Sequence, residues 1–266
     1  MILPDFFCIG VQKSGTTLLY EHLKKIDEIY LPNKKELHFF DSDDYMKGFD
    51  WYSRYFVKAQ EEQLVGEITP AYIFIDNIAK KMYESPMKNL KFVVILRNPI
   101  ERAYSHYTMR YRRGEENHSF EESFNLESRR TKNSIESLRK YSYFQRGFYS
   151  HQIENYFKYF DKSQFLFLLF EEFILDQDKG VEEVCNFLGV IKKEIIEPKK
   201  IHSSSLSLKE KFDFMKLNNY YNPLKIFQNG YPKMSLKMYQ KLQNYYKNDI
   251  IKLEKTVNKD LSQWLQ

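Results

Sequence analysis

The chain has 266 residues, a formal net charge of +5, 42% hydrophobic side chains and 17% aromatic ones. That length suits one α/β domain with a sizeable core, and so many rings exclude a disordered chain. Nine Gly and eight Pro exclude collagen-like or low-complexity architecture, the two cysteines cannot build a disulfide framework, and so modest a charge does not by itself argue for nucleic acid.

The opening Met1-Ile2-Leu3-Pro4-Asp5 lacks the basic and apolar regions of a signal peptide, and no apolar run approaches the roughly 20 residues of a membrane span. Phe6-Phe7-Cys8-Ile9-Gly10 is a short apolar run rich in β-formers and reads as a buried strand. Leu18, Leu19, Leu23 and Ile26 follow at helical spacing, with Thr16 as the expected N-cap of a helix over 16–26. A helical pattern spans 45–57, and Leu64-Val65-Gly66-Glu67 reads as a strand ahead of Thr69-Pro70. After a helix over 75–84, Phe92-Val93-Val94-Ile95-Leu96 is a second fully apolar strand. Pro99 then opens a helix running to about Arg113. Residues 110–146 are polar and charge-dense, an expected excursion from the sheet. A helix over 148–160, a strand over 165–170 and helices over 178–188 and 235–257 complete the reading. Apolar strands separated by helices imply a three-layer α/β fold, with a central, mostly parallel sheet flanked by helices. One domain is expected over residues 1–266.

The most informative segment is Gly10-Val11-Gln12-Lys13-Ser14-Gly15-Thr16-Thr17. A strand, a loop and a helix N-terminus direct several backbone N–H groups at one point, and the helix dipole adds to them. Lys13, Ser14, Thr16 and Thr17 bring side-chain donors to this anion cradle. The glycines have the separation of GxxxxGK[ST], but Thr16 stands where that pattern needs its lysine. No later strand ends in a Mg²⁺-binding Asp. An ATP-dependent kinase or phosphotransferase therefore remains only as an alternative.

Lys13-Ser14-Gly15-Thr16-Thr17 resembles the 5′-phosphosulfate loop of sulfotransferases that use 3′-phosphoadenosine 5′-phosphosulfate (PAPS). Arg97-Asn98-Pro99 through Ser105 is similar to their 3′-phosphate site, which implies Arg97 and Ser105 as its grips. Pro32-Asn33-Lys34-Lys35-Glu36-Leu37-His38-Phe39-Phe40 and Gly66-Glu67-Ile68-Thr69-Pro70-Ala71-Tyr72 resemble the heparan sulfate 3-O- and N-sulfotransferase branch, which bacterial carbohydrate sulfotransferases share. The resemblance runs over nearly the whole chain, with echoes at Gly147-Phe148-Tyr149, Phe187-Leu188-Gly189 and Tyr231-Pro232-Lys233-Met234. It implies a P-loop-like sulfotransferase fold and an enzyme that turns PAPS into the bisphosphate PAP while sulfating a carbohydrate hydroxyl or amine. Two departures stand out: Ile68 occupies the place of a lysine, and residues 227–230 lack the family's late basic loop, leaving Lys225 or Lys233 to substitute. An inactive binding module of the same fold is the second alternative.

Sulfuryl transfer needs a positioned cation and a general base. Lys13 is the expected cation. Glu36, which matches the 3-O-sulfotransferase base, and Glu67, which matches the N-sulfotransferase base, compete for the second role. Glu36 is favoured because alternation in an extended segment puts Glu36 and His38 on one side, where His38 can orient the base. Arg110, Arg112, Arg113, Arg129, Arg130, Lys132, Arg139 and Lys140 are interleaved with Glu115, Glu116, Glu121, Glu122, Glu127 and Glu136, so internal ion pairs on a solvated helical face are expected there. The six histidines are scattered and imply no metal. Composition rich in Lys, Asn and Ile points to a bacterial cytoplasmic enzyme, with a luminal domain separated from its anchor as the alternative. Nothing fixes the oligomeric state.

Overall fold

The structure, a computed structural model, describes residues 1–190 and 234–266. They fall into two compact units, residues 1–97 with 151–190 and residues 98–150 with 234–266. Lys225, residues 227–230 and Tyr231-Pro232-Lys233 lie outside the described residues.

The first unit is built on five parallel strands. They are β1 (Phe6–Gly10), β2 (Ile29–Tyr30), β3 (Leu64–Ile68), β4 (Lys91–Leu96) and β5 (Phe165–Leu169), in the order β2-β3-β1-β4-β5. Its helices are α1 (Thr16–Leu23), α2 (Gly48–Ser53), α3 (Ile78–Tyr83), and further on α8 (Phe170–Leu175) and α9 (Gln177–Leu188). Side chains alternate across the strands. Phe6, Cys8, Val93, Ile95 and Leu168 pack on one face with Leu19 and Leu23 of α1 and Val184 and Leu188 of α9. On the other face Phe7, Phe92 and Phe165 stand in register on β1, β4 and β5, with ring centroids 6.4 and 4.8 Å apart. Tyr156 and Phe160 cover this aromatic row from above. Burying such rings is worth several kcal/mol each, roughly 3–5 by truncation. Gly66 lies opposite Phe6 in the ladder, and a Cβ there would overlap the Phe6 ring. The glycine in this buried strand therefore answers a close approach, not a turn.

The second unit holds α4 (Pro99–Arg112), α5 (Phe120–Arg130), α6 (Ile135–Tyr141) and α10 (Leu236–Val257); of α7 (Tyr149–Phe157), residues 149 and 150 are assigned to this unit and the rest to the first. Pro99 occupies the first turn of α4, and Asn98 caps it by accepting from Ile100 N–H. The charge-dense stretch forms α5 and α6, with ion pairs Arg110–Glu115 and Arg130–Glu116. Charge is also buried here: the Glu127 carboxylate accepts from the N–H groups of Phe144 and Gln145 at 2.9 and 2.8 Å.

Two expectations are corrected, and one strand goes unannounced by the sequence. The α1 N-cap is Gly15, at φ 80°, and Thr16 is the first helical residue. The fifth strand stops at Leu169, and Phe170 opens α8. The two-residue β2 had no apolar run long enough to announce it.

Candidate active site

The site is assembled at the carboxyl ends of β1, β3 and β4, where ligands of open α/β sheets bind. After β1 the chain turns through Lys13, at φ 76°, and Gly15 into α1. Left-handed backbone at Gly15 carries no steric penalty, whereas a Cβ would be strained and would lie 3.3 Å from the Phe170 ring. Gly15 at the N-cap offers no side-chain cap to α1, and the first turn holds no acidic residue. Its leading N–H groups and positive dipole end are thus left for an anion. Ser14 is wholly buried, and its hydroxyl has no hydrogen-bond partner among the described residues. An orphaned buried donor in a strand-to-helix turn fits a phosphate or phosphosulfate group as its missing partner.

The second expected turn meets the first. Arg97, at the end of β4, donates from Nη1 to the Lys13 carbonyl at 2.8 Å, and its guanidinium lies 4.4 Å from the Phe170 ring centroid. Phe170 thus touches both the cation and the glycine turn, a role its sequence did not reveal because it reads as one more apolar strand residue. Ser105 lies in α4, partly buried, in the other unit.

Two of the catalytic candidates, Glu36 and His38, lie on the segment that follows β2. It is tethered at three carbonyls or amides. Tyr20 hydroxyl donates to Pro32 O at 2.8 Å, Glu36 N–H to Ile68 O at 3.1 Å, and Lys81 Nζ to Phe40 O at 2.7 Å. Leu37, Phe39 and Phe40 point into the core, with Phe39 stacked on Tyr52 at 4.1 Å. The segment is not extended: Glu36 and His38 sit at φ 60° and 57°. Left-handed backbone at non-glycine residues costs on the order of 1–3 kcal/mol each and persists where packing enforces it. Two left-handed residues flanking buried Leu37 still bring Glu36 and His38 together, with His38 Nε2 3.7 Å from Glu36 Oε2. The expected pairing holds, for a different backbone reason.

Asp41, absent from the sequence reading, completes the cluster. Its side chain is fully buried, and Oδ2 lies 3.0 Å from His38 Nδ1. Three residues separate the two in sequence, a spacing that helix logic would dismiss once the helix begins later. Lys35 Nζ lies 2.5 Å from Glu36 Oε1. Burial pushes the Glu36 carboxyl up, but the His38 hydrogen bond and the Lys35 ammonium outweigh it and hold the group near 2. Glu36 is therefore ionised across the physiological range, and its side chain is 39% exposed.

Glu67 is different. It is wholly buried, and the hydroxyls of Tyr52 and Thr69 donate to its two oxygens. Burial raises its pKa against those donors. Ile68 is buried and pairs with Cys8 in strand register, so the carboxyl end of β3 carries no cation of its own. Among the described residues no group of three or more His, Cys, Asp or Glu side chains is arranged to hold a metal ion, and no helix is long and apolar enough to cross a membrane.

The profile of the sulfotransferase domain family matches residues 3–260. A membrane-associated sulfotransferase of Dictyostelium discoideum, kil1, is 39% identical over 110 residues, 40% of this chain and 23% of that protein. The mouse heparan sulfate glucosamine 3-O-sulfotransferase 3A1 is 32% identical over 200 residues, 75% of this chain and 49% of that protein. The chain thus spans about half the length, or less, of these curated relatives. Among solved structures, a sulfotransferase from Alicyclobacillus acidocaldarius superposes with a TM-score of 0.74 at 28% identity, covering all of both chains. A mouse sulfotransferase complexed with PAP shares the fold at a TM-score of 0.51 and 15% identity. With a matching profile over nearly its full length, the chain belongs to the sulfotransferase domain family.

Proposed function

We propose that the protein is a PAPS-dependent sulfotransferase acting on a hydroxyl of a carbohydrate, with Glu36 as general base. The observation that carries this reading is the anion cradle after β1. It combines an uncapped helix start, a buried Ser14 hydroxyl without a partner, and Arg97 drawn onto the Lys13 carbonyl. It lacks the lysine of an ATPase loop, and a doubly phosphorylated nucleotide suits two turns that bring cationic side chains from different strands.

When bound, PAPS supplies a sulfuryl group whose S–O bond to phosphate breaks, leaving the electron pair on the phosphate oxygen, as a new S–O bond forms to the acceptor. Lys13, the N–H groups leading α1, Ser14, Thr16 and Thr17 stabilise the charge that builds on that phosphate oxygen. Arg97 takes the 3′-phosphate, as the resemblance implies. Glu36 accepts the proton of the acceptor hydroxyl, and His38, steadied by Asp41, orients it. Glu36 is preferred over Glu67 because it is exposed and ionised, whereas Glu67 is enclosed by hydroxyl donors. The 3-O-sulfotransferase relatives support a sugar hydroxyl as acceptor. Partly exposed Trp51 and Tyr55, with Lys47 and Lys34 over their rings at 4.4 and 5.7 Å, suit an anionic sugar in the same unit.

The test is mass-spectrometric detection of a sulfated product from PAPS and a panel of glycan acceptors without added metal. A glycan gaining one sulfuryl group supports the reading. Phosphorylation of the same panel from ATP and Mg²⁺ would replace it with the kinase alternative.

A further inference from the structure

Glu36 presents a difficulty for its own proposed role. One oxygen is 2.5 Å from the Lys35 ammonium and the other faces His38. A carboxylate held from both ends is a poor proton acceptor, since each partner favours the charged form. One hold must loosen before the acceptor proton can move. His38 is not free to leave, because Asp41 grips its Nδ1 at 3.0 Å. The backbone cannot move away either, being tied at Pro32, Glu36 and Phe40. Lys35, by contrast, has a flexible four-carbon stem.

Its position suggests what would draw it off. The Lys35 side chain is 15% exposed, so it lies largely within the protein rather than in solvent. The neighbouring Glu36 N–H is tied to Ile68 O at 3.1 Å, and Ile68 lies opposite Cys8 in the strand ladder, two residues before the end of β1 and the turn that begins the anion cradle. Ile68, aligned with Cys8, brings no charge to that edge. An anionic group held at the turn after β1 would find Lys35 as an ammonium supplied by this segment.

We propose that Lys35 is a second cation for the transferring sulfuryl group, which leaves Glu36 Oε1 when that group binds and so frees the base in its presence. This rests on the reading of the cradle as a PAPS site. Without a sulfuryl group Lys35 masks Glu36. With one, the ammonium moves to the sulfuryl oxygens and the carboxylate regains ordinary basicity. The base is thereby made ready only when there is a group to transfer.

The experiment compares PAPS with PAP, which has the same phosphates and no sulfuryl group, by calorimetry on wild type, Lys35→Met and Lys35→Arg. A side-chain ¹³C titration of Glu36 in the same proteins is the second readout. Lys35→Met is expected to weaken PAPS about tenfold, the usual size of a charged hydrogen bond, while leaving PAP affinity unchanged. Lys35→Arg should restore most of it. The Glu36 midpoint should rise from near 2 in ligand-free Lys35→Met, and in wild type on adding PAPS but not PAP. Equal losses for both nucleotides, or a Glu36 midpoint that PAPS leaves in place, would overturn the proposal while leaving the PAPS site standing. A wild-type protein that binds neither nucleotide would remove that reading, and the proposal with it.

Discussion

Glu36 and Glu67 are two carboxylates at one sheet edge with opposite surroundings, and the difference can be measured. Glu36→Gln should lower turnover by about 10²- to 10⁴-fold, the range of a lost general base, with PAP affinity retained. Glu67→Gln should leave more activity and act on stability through Tyr52 and Thr69. Steady-state kinetics beside a denaturation curve separate the two, and a dead Glu67→Gln with an active Glu36→Gln would reverse the assignment. Linkage adds a check. Because Glu36 is held near 2, below an ordinary carboxylate, it stabilises the fold above its unfolded pKa and loses that effect as pH falls toward 2. The melting difference between wild type and Glu36→Gln should therefore be present near neutrality and vanish in strong acid.

At the scale of elements, β1 and β3 are joined by a contact that tolerates no extra atom. Gly66→Ala would press a methyl into Phe6 and should cost about 1–3 kcal/mol, the usual range for overpacking. In a Phe6→Leu background the penalty should shrink, as a double-mutant cycle by chemical denaturation would show. An unchanged penalty would place the strain elsewhere. Strands of this kind were readable from sequence because burial on both faces leaves an unbroken apolar run, as at Phe92 to Leu96. β2 was not, being two residues at an edge. The loop after β1 was readable because glycine, lysine and hydroxyl residues at that spacing have one obvious use. The 36–41 segment was readable only in its residue types. Its left-handed turns are set by where Leu37 and Phe39 must be buried, and alternation alone suggests an extended chain instead. Asp41 and Phe170 escaped notice because each acts through a tertiary contact that no local pattern encodes.

Over the whole molecule, each unit buries a carboxyl whose pKa burial raises, Glu67 in the first and Glu127 in the second. Burial pushes Glu127 of the second unit up to about 7, despite the N–H groups of Gln145 and Phe144. A raised carboxyl stabilises the fold fully below its unfolded pKa, and that contribution is lost as pH rises through about 7. Denaturation at a series of pH values should show stability falling from mildly acidic to neutral pH, and Glu127→Gln should flatten that slope. The proposed chemistry depends on the cradle formed where the turns after β1 and β4 meet. Its most direct test is a calorimetric titration of wild type and Lys13→Ala with PAP in the absence of divalent metal. Saturable binding to wild type is expected, weakened about tenfold or more when the Lys13 ammonium is removed. Equal affinity in the two proteins, or no binding to wild type, would contradict it.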